Sequence, residues 1–248
     1  MSENGIIVQN LVKKFDDVIA LNDLSFEVKE GELFGLLGPN GAGKTTAIKI
    51  LIGLLKKTSG SAKIGNYDIE KDENAIKKMI GVCPQEPAYY KFLSGQENIE
   101  LFGNLHGMSK NDIKNRTQLL LEQVGLIEAA DRKAGKYSGG MIRRVSLAMA
   151  LINDPEIAFL DEPTVAMDPQ SRHAVWNFIK QLKEMKKTTI LTTHYIEEAE
   201  MLCDRVGIID HGKLIALDTP KALMEKYEAK NLEDVFIALT GKKIREES

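Results

Sequence analysis

An α/β fold on a parallel sheet, opened by an antiparallel β subdomain and interrupted by an inserted α-helical subdomain, is predicted by three features of this 248-residue sequence. Continuous apolar runs alternate with helical segments from Leu33 onward, as strands buried on both faces of a parallel sheet do. Residues 6–12 and 20–28 instead alternate with period two, and strand signal vanishes between Gln85 and about Leu151.

Taken in order, Ser25-Phe26-Glu27-Val28 is a clear half-buried strand before a turn at Glu30-Gly31. The first apolar strand, residues 33–37, leads through a glycine-rich turn into a helix over 45–55. Further strands are expected at 80–83, 157–160, 188–192 and 206–209, and helices at 96–106, 110–124 and 138–152. Pro220 opens a helical stretch to Tyr227, and 232–239 forms another apolar stripe. One domain over 1–248 results. Residues 1–84 and 153–218 form its catalytic α/β lobe, 85–152 its helical lobe, and 219–248 a short C-terminal helical extension.

Composition narrows the function. With 43% hydrophobic and 28% charged residues the chain can bury a core, while a net charge of -3 and no dense basic block argue against nucleic acid as a partner. Cys83 and Cys203 lie far apart, outside any C-x-x-C spacing, so a reduced, cytoplasmic setting is expected. Residues 1–9 lack a signal-peptide layout, and no apolar run approaches the roughly 20 residues that span a bilayer. The chain is therefore expected not to cross a membrane itself.

Three motifs carry chemistry. Gly38-Pro39-Asn40-Gly41-Ala42-Gly43-Lys44-Thr45-Thr46 fits G-x-x-x-x-G-K-[ST], a pattern expected by chance in about one chain in a hundred of this size. Its glycines let backbone N–H groups converge on phosphate, the helix N-terminus adds positive potential, Lys44 reaches the outer phosphates and Thr45 holds magnesium. Second, the apolar run Ile157-Ala158-Phe159-Leu160 ends abruptly in Asp161-Glu162. Beside a phosphate cradle these acids divide the labour, Asp161 supporting hydrated magnesium and Glu162 polarising the water that attacks the γ-phosphate. Third, Tyr137-Ser138-Gly139-Gly140-Met141 opens a helix, with Ser138 as cap and glycines that admit an anion. Two positive helix ends aimed at one point repel each other, so one nucleotide does not need both from one chain. A triphosphate between two copies removes the conflict.

In these residues, from about Ile7 to Asp218, the sequence resembles the nucleotide-binding subunit of ATP-binding cassette (ABC) transporters, which are P-loop NTPases. The Walker A motif is 38–45, Walker B 157–161 with Glu162 after it, and the signature sequence 137–141. The resemblance implies roles for single residues. Gln85 matches the Q-loop residue that senses magnesium and the γ-phosphate, His194 the switch histidine that steadies the attacking water, Asp168 the D-loop aspartate, and Phe15 the aromatic that stacks on adenine. Tyr137 and Met141 depart from the commoner Leu-Ser-Gly-Gly-Gln, and Val165-Ala166-Met167-Asp168 from the usual D-loop. With Glu162-Pro163-Thr164-Val165 and Asn231-Leu232-Glu233-Asp234-Val235-Phe236 they resemble subunits of drug, lipid or polysaccharide exporters.

The resemblance implies an ATPase using ATP and Mg2+ that sandwiches nucleotide with a second copy or a homologous cassette. It implies a separate transmembrane permease that holds the chain at the inner face of the membrane. Pro87, Tyr89, Tyr90 and Phe92, near Gln85, are the expected docking surface. A soluble assembly-complex ATPase, as in iron–sulfur cluster assembly, is the alternative.

Overall fold

Leu33–Leu37, Ile157–Asp161 and Thr188–Thr193 are buried at every position, as strands covered on both faces must be. They form the middle of a sheet in a computed structural model that describes residues 5–241. The last seven residues of the expected extension, and residues 1–4 of the segment searched for a leader, lie outside the described residues.

The chain runs β1 (Ile6–Phe15), β2 (Val18–Val28), β3 (Leu33–Leu37), α1 (Lys44–Leu51), β4 (Ser59–Ile64), β5 (Tyr67–Asp68), α2 (Glu73–Met79) and β6 (Ile80–Cys83). The helical lobe follows as α3 (Gly95–Leu105), α4 (Lys110–Gln123) and α5 (Gly139–Ala150). The chain then returns through β7 (Ile157–Asp161), α6 (Pro169–Glu184), β8 (Thr188–Thr193), α7 (Ile196–Leu202), β9 (Arg205–Asp210) and β10 (Lys213–Asp218), and ends in α8 (Pro220–Lys226) and α9 (Leu232–Thr240). An antiparallel sheet of order β2-β1-β4-β5 stands beside a six-stranded sheet of order β10-β9-β3-β8-β7-β6.

The expected α/β architecture is present, with two refinements. The first sheet gains β4 and β5, whose Ser-Gly-Ser opening hid a strand that is mostly exposed where it starts. The second sheet is mixed, because β10 pairs antiparallel with β9. His211 and Gly212, both at positive φ (45° and 74°), supply the tight turn between them, so no crossover helix is needed.

Register sets the site. Leu37 pairs with Thr193 and Asp161 with Thr192, so β3, β7 and β8 end level with one another. Gly38, Glu162 and His194 leave the sheet at that common carboxyl edge, where parallel sheets bind ligands. The three α-helices α3, α4 and α5 of the second lobe each begin at a serine cap. Ser94 forms a capping box with Glu97, Ser109 accepts from Asp112 N, and Ser138 accepts from Met141 N at 3.3 Å.

Candidate active site

Between β3 and α1 the chain folds over a cavity of about 220 Å³, lined by Ala20, Asn40, Gly41, Ala42, Gly43, Lys44, Thr45, Thr46, Gln85 and Glu162. Gly43 caps α1 at φ 106°, and a Cβ there would lie 2.6 Å from the Ala20 carbonyl, so glycine is required twice over. No side chain caps α1, which leaves the N–H groups of its first turn available to an anion. A larger cleft, about 360 Å³, opens at the far end of α1 beside Lys56 and Glu73, away from this chemistry.

Lys44 is buried, and its ammonium donates to the Gly38 carbonyl at 2.7 Å and the Pro39 carbonyl at 3.1 Å. It also pairs with Glu162 Oε1 at 3.1 Å. Burial pulls the Lys44 pKa down, against the pull of the Glu162 and Asp161 carboxylates. For Glu162, burial pushes the pKa up, but His194 and Lys44 together outweigh it and hold the carboxyl below its usual range. Glu162 is therefore ionised at neutral pH.

Glu162 gathers the other residues. Gln85 Nε2 donates to Glu162 Oε2 at 3.3 Å. His194 Nδ1 lies 3.2 Å from the same oxygen, near enough to pair with it when the ring is protonated but off the line of a hydrogen bond. One residue back, Asp161 Oδ1 accepts from Thr45 Oγ1 at 3.1 Å and from the Thr192 hydroxyl. Thr192 also accepts from the Glu162 N–H, at 3.0 Å. Hydroxyl and carboxylate oxygens of this kind are the hard donors that magnesium prefers.

The expected residues at 40–46, Gln85, Asp161, Glu162 and His194 thus converge, with Pro39 turning the loop at its start. Ser138 and Gly139 stand exposed at the start of α5, outside the cavity, with Gly140 buried behind them against Ser171. Asp168 is likewise outside, as the cap of α6, accepting from Ser171 N at 2.9 Å. Phe15 ends β1 with 43% exposure, so it is not core, and the Lys13 ammonium sits 4.6 Å from its ring centre. Tyr90 and Phe92 are exposed at 58% and 78%, while Tyr89 is partly buried against the hydrophobic core. Two residues were missed from sequence. Thr192 is one of four threonines in β8 and Arg143 stands beside Arg144 on α5, so nothing in the sequence pattern marks either.

Residues 21–165 match the model of a family described as ABC transporter. The chain belongs to that family. Among curated relatives it is 46% identical over 224 residues to the doxorubicin resistance ATP-binding protein DrrA of Mycobacterium tuberculosis, covering 90% of this chain and 68% of that one. It is 43% identical to the linearmycin resistance ATP-binding protein LnrL of Bacillus subtilis, covering 96% and 75%. It is 41% identical to the Nod factor export ATP-binding protein I of a Rhizobium species, covering 95% and 78%. A solved ATP-binding subunit of an ABC transporter superposes with a TM-score of 0.85 at 27% identity, over 95% of this chain and 99% of that one. A dimeric bacterial ABC transporter cassette gives 0.79 at 29%, over 86% and 98%.

The cassette is accordingly an ATP-binding ATPase. No helix among the described residues is long and apolar enough to cross a membrane.

Proposed function

We propose that the cassette powers an exporter, hydrolysing ATP between two copies and passing the motion to a separate membrane-spanning subunit. The observation that carries this reading is the Glu162 carboxylate, held between Lys44, Gln85 and His194 at the mouth of the phosphate cradle. Phosphate oxygens entering the cradle compete for Lys44 and draw it away from Glu162. The released carboxylate accepts a proton from a water molecule as its oxygen attacks the γ-phosphorus and the bond to the β,γ-bridging oxygen breaks, leaving ADP and phosphate. His194, beside the same oxygen, keeps that carboxylate and the water in place.

Thr45 and Asp161 would hold a magnesium ion, with Gln85 nearby, and when bound it offsets charge on the β- and γ-phosphate oxygens. Phe15 would stack on the base, as its exposure allows. Ser138, Gly139 and Gly140 stand outside the chain's own cavity, which favours their serving nucleotide held by a second copy, with Asp168 close to the junction. Exposed Tyr90 and Phe92 would receive the membrane subunit. Export is favoured because the relatives are named for drug resistance and Nod factor export.

The test is Glu162→Gln. Turnover is expected to fall roughly 10² to 10⁴-fold while MgATP drives monomers into a stable dimer, read by light scattering. Near-normal hydrolysis would remove Glu162 as the base, and single particles at saturating MgATP would remove the shared site. Recovery of the tagged cassette with a polytopic membrane protein supports the transport arm. Recovery with soluble proteins alone returns it to the assembly-complex class.

A further inference from the structure

Arg143 is 3% exposed, and all five of its N–H donors are used, each on a backbone carbonyl. Nε donates to Pro163 O at 2.8 Å, and one terminal nitrogen donates to Pro84 O and to Gln85 O at 3.0 Å. The other donates to Asp161 O at 2.6 Å and to Glu162 O at 2.8 Å. No carboxylate side chain pairs with it among the described residues. Burying a guanidinium carries a large desolvation penalty, and an apolar side chain would fill the same space without it. The neighbouring Arg144 shows the ordinary use of such a residue, since it bonds Val124 O and Gly125 O inside its own lobe.

What Arg143 joins is specific. It sits on α5, little more than one turn after Ser138, yet its guanidinium reaches the boundary with the catalytic lobe, against the two segments that carry Gln85 and Glu162. Glu162 holds φ 48°, a left-handed conformation that is strained for a non-glycine residue. Its N–H is held by Thr192 and its carbonyl by Arg143, so the strained peptide is tied on both sides.

We infer that Arg143 is a positioning residue for hydrolysis: it locks the Glu162 and Gln85 backbones in register with the N-terminus of α5. Seating residues 138–140 on a nucleotide and aiming the carboxylate then become one event. This rests on Glu162 being the base.

The experiment compares Arg143→Gln and Arg143→Lys with the unmodified cassette in steady-state ATPase assays, with binding of a fluorescent ATP analogue and thermal unfolding measured in parallel. Arg143→Gln is expected to lower kcat by about ten-fold or more with nucleotide affinity within about three-fold, and Arg143→Lys to recover part of kcat. In a Glu162→Gln background, Arg143→Gln is expected to cause no further loss, because a residue acting through Glu162 has nothing left to position. An unchanged kcat, a parallel loss of kcat, nucleotide affinity and thermal stability, or an additive loss in the double variant overturns the inference. Should Arg143→Gln fail to fold, Arg143→Lys carries the same kcat-against-affinity comparison. Rapid hydrolysis by Glu162→Gln alone would instead fail the assignment of the base, which separates the two outcomes.

Discussion

Tyr137 occupies the space that a side chain at position 95 would need: a Cβ on Gly95 would lie 2.1 Å from the Tyr137 hydroxyl, which donates to Ala129 O at 2.7 Å. The pair explains how this chain carries tyrosine where leucine is commoner. Gly95→Ala is expected to destabilise by about 1 to 3 kcal/mol through overpacking, although alanine is the better helix former. Combining it with Tyr137→Leu should cost less than the sum of the two changes by about 1 kcal/mol, as measured by urea denaturation. Strict additivity would show that the two residues do not compete for space.

Glu198 and Glu162 are both buried, and their pKa values move in opposite directions. Burial raises that of Glu198, despite bonds from Thr164 Oγ1 at 2.8 Å and Trp176 Nε1 at 2.9 Å. The folded state then holds the proton more tightly than the unfolded chain, so this residue's contribution falls as pH rises above the unfolded value of about 4.3 toward its folded value. For Glu162 the folded pKa is depressed, so its contribution is present above about 4.3 and is lost as pH falls through the folded value. Denaturation across a pH series should show Glu198→Gln gaining stability relative to the unmodified cassette above pH ~5, and Glu162→Gln gaining on it below pH ~4. A stability difference that does not vary with pH for either variant would contradict its assigned shift.

Phe15 is exposed, so Phe15→Ala should change folding stability by no more than about 0.5 kcal/mol while weakening ATP binding by about 1 to 3 kcal/mol, taking base stacking as a guide. Stacking tolerates any base, and GTP should therefore compete only modestly less well than ATP. Unchanged ATP affinity in the variant, measured by calorimetry, would free Phe15 from the nucleotide site.

The central strands β3 and β7 were legible because burial on both faces leaves an apolar run, as at residues 33–37 and 157–160. Hydrophobic runs mark burial, so β4, opening Ser59-Gly60-Ser61 at an exposed start, left no such mark. The 16-residue α6 has clear signals, Asp168 as cap and Pro169 at its first turn ahead of buried Val175, Trp176, Ile179 and Leu182. Asp168 was read there for chemistry rather than for helix capping. The residues at 38–46 stood out because the G-x-x-x-x-G-K-[ST] pattern has a fixed spacing within one loop. Arg143 was not, since its partners are carbonyls 18 to 59 residues away, and any side chain leaves a carbonyl in place.

The left-handed backbone at Glu162 sets chemistry and conformation against each other at one codon. Glycine and asparagine suit that φ best and β-branched residues worst, yet neither glycine nor asparagine could take a proton from water in the role proposed for Glu162. Populations selected only for abundance would drift toward the first group, whereas populations selected for activity would be confined to the acid. The backbone angle is thus a standing toll on folding that selection for turnover keeps in force.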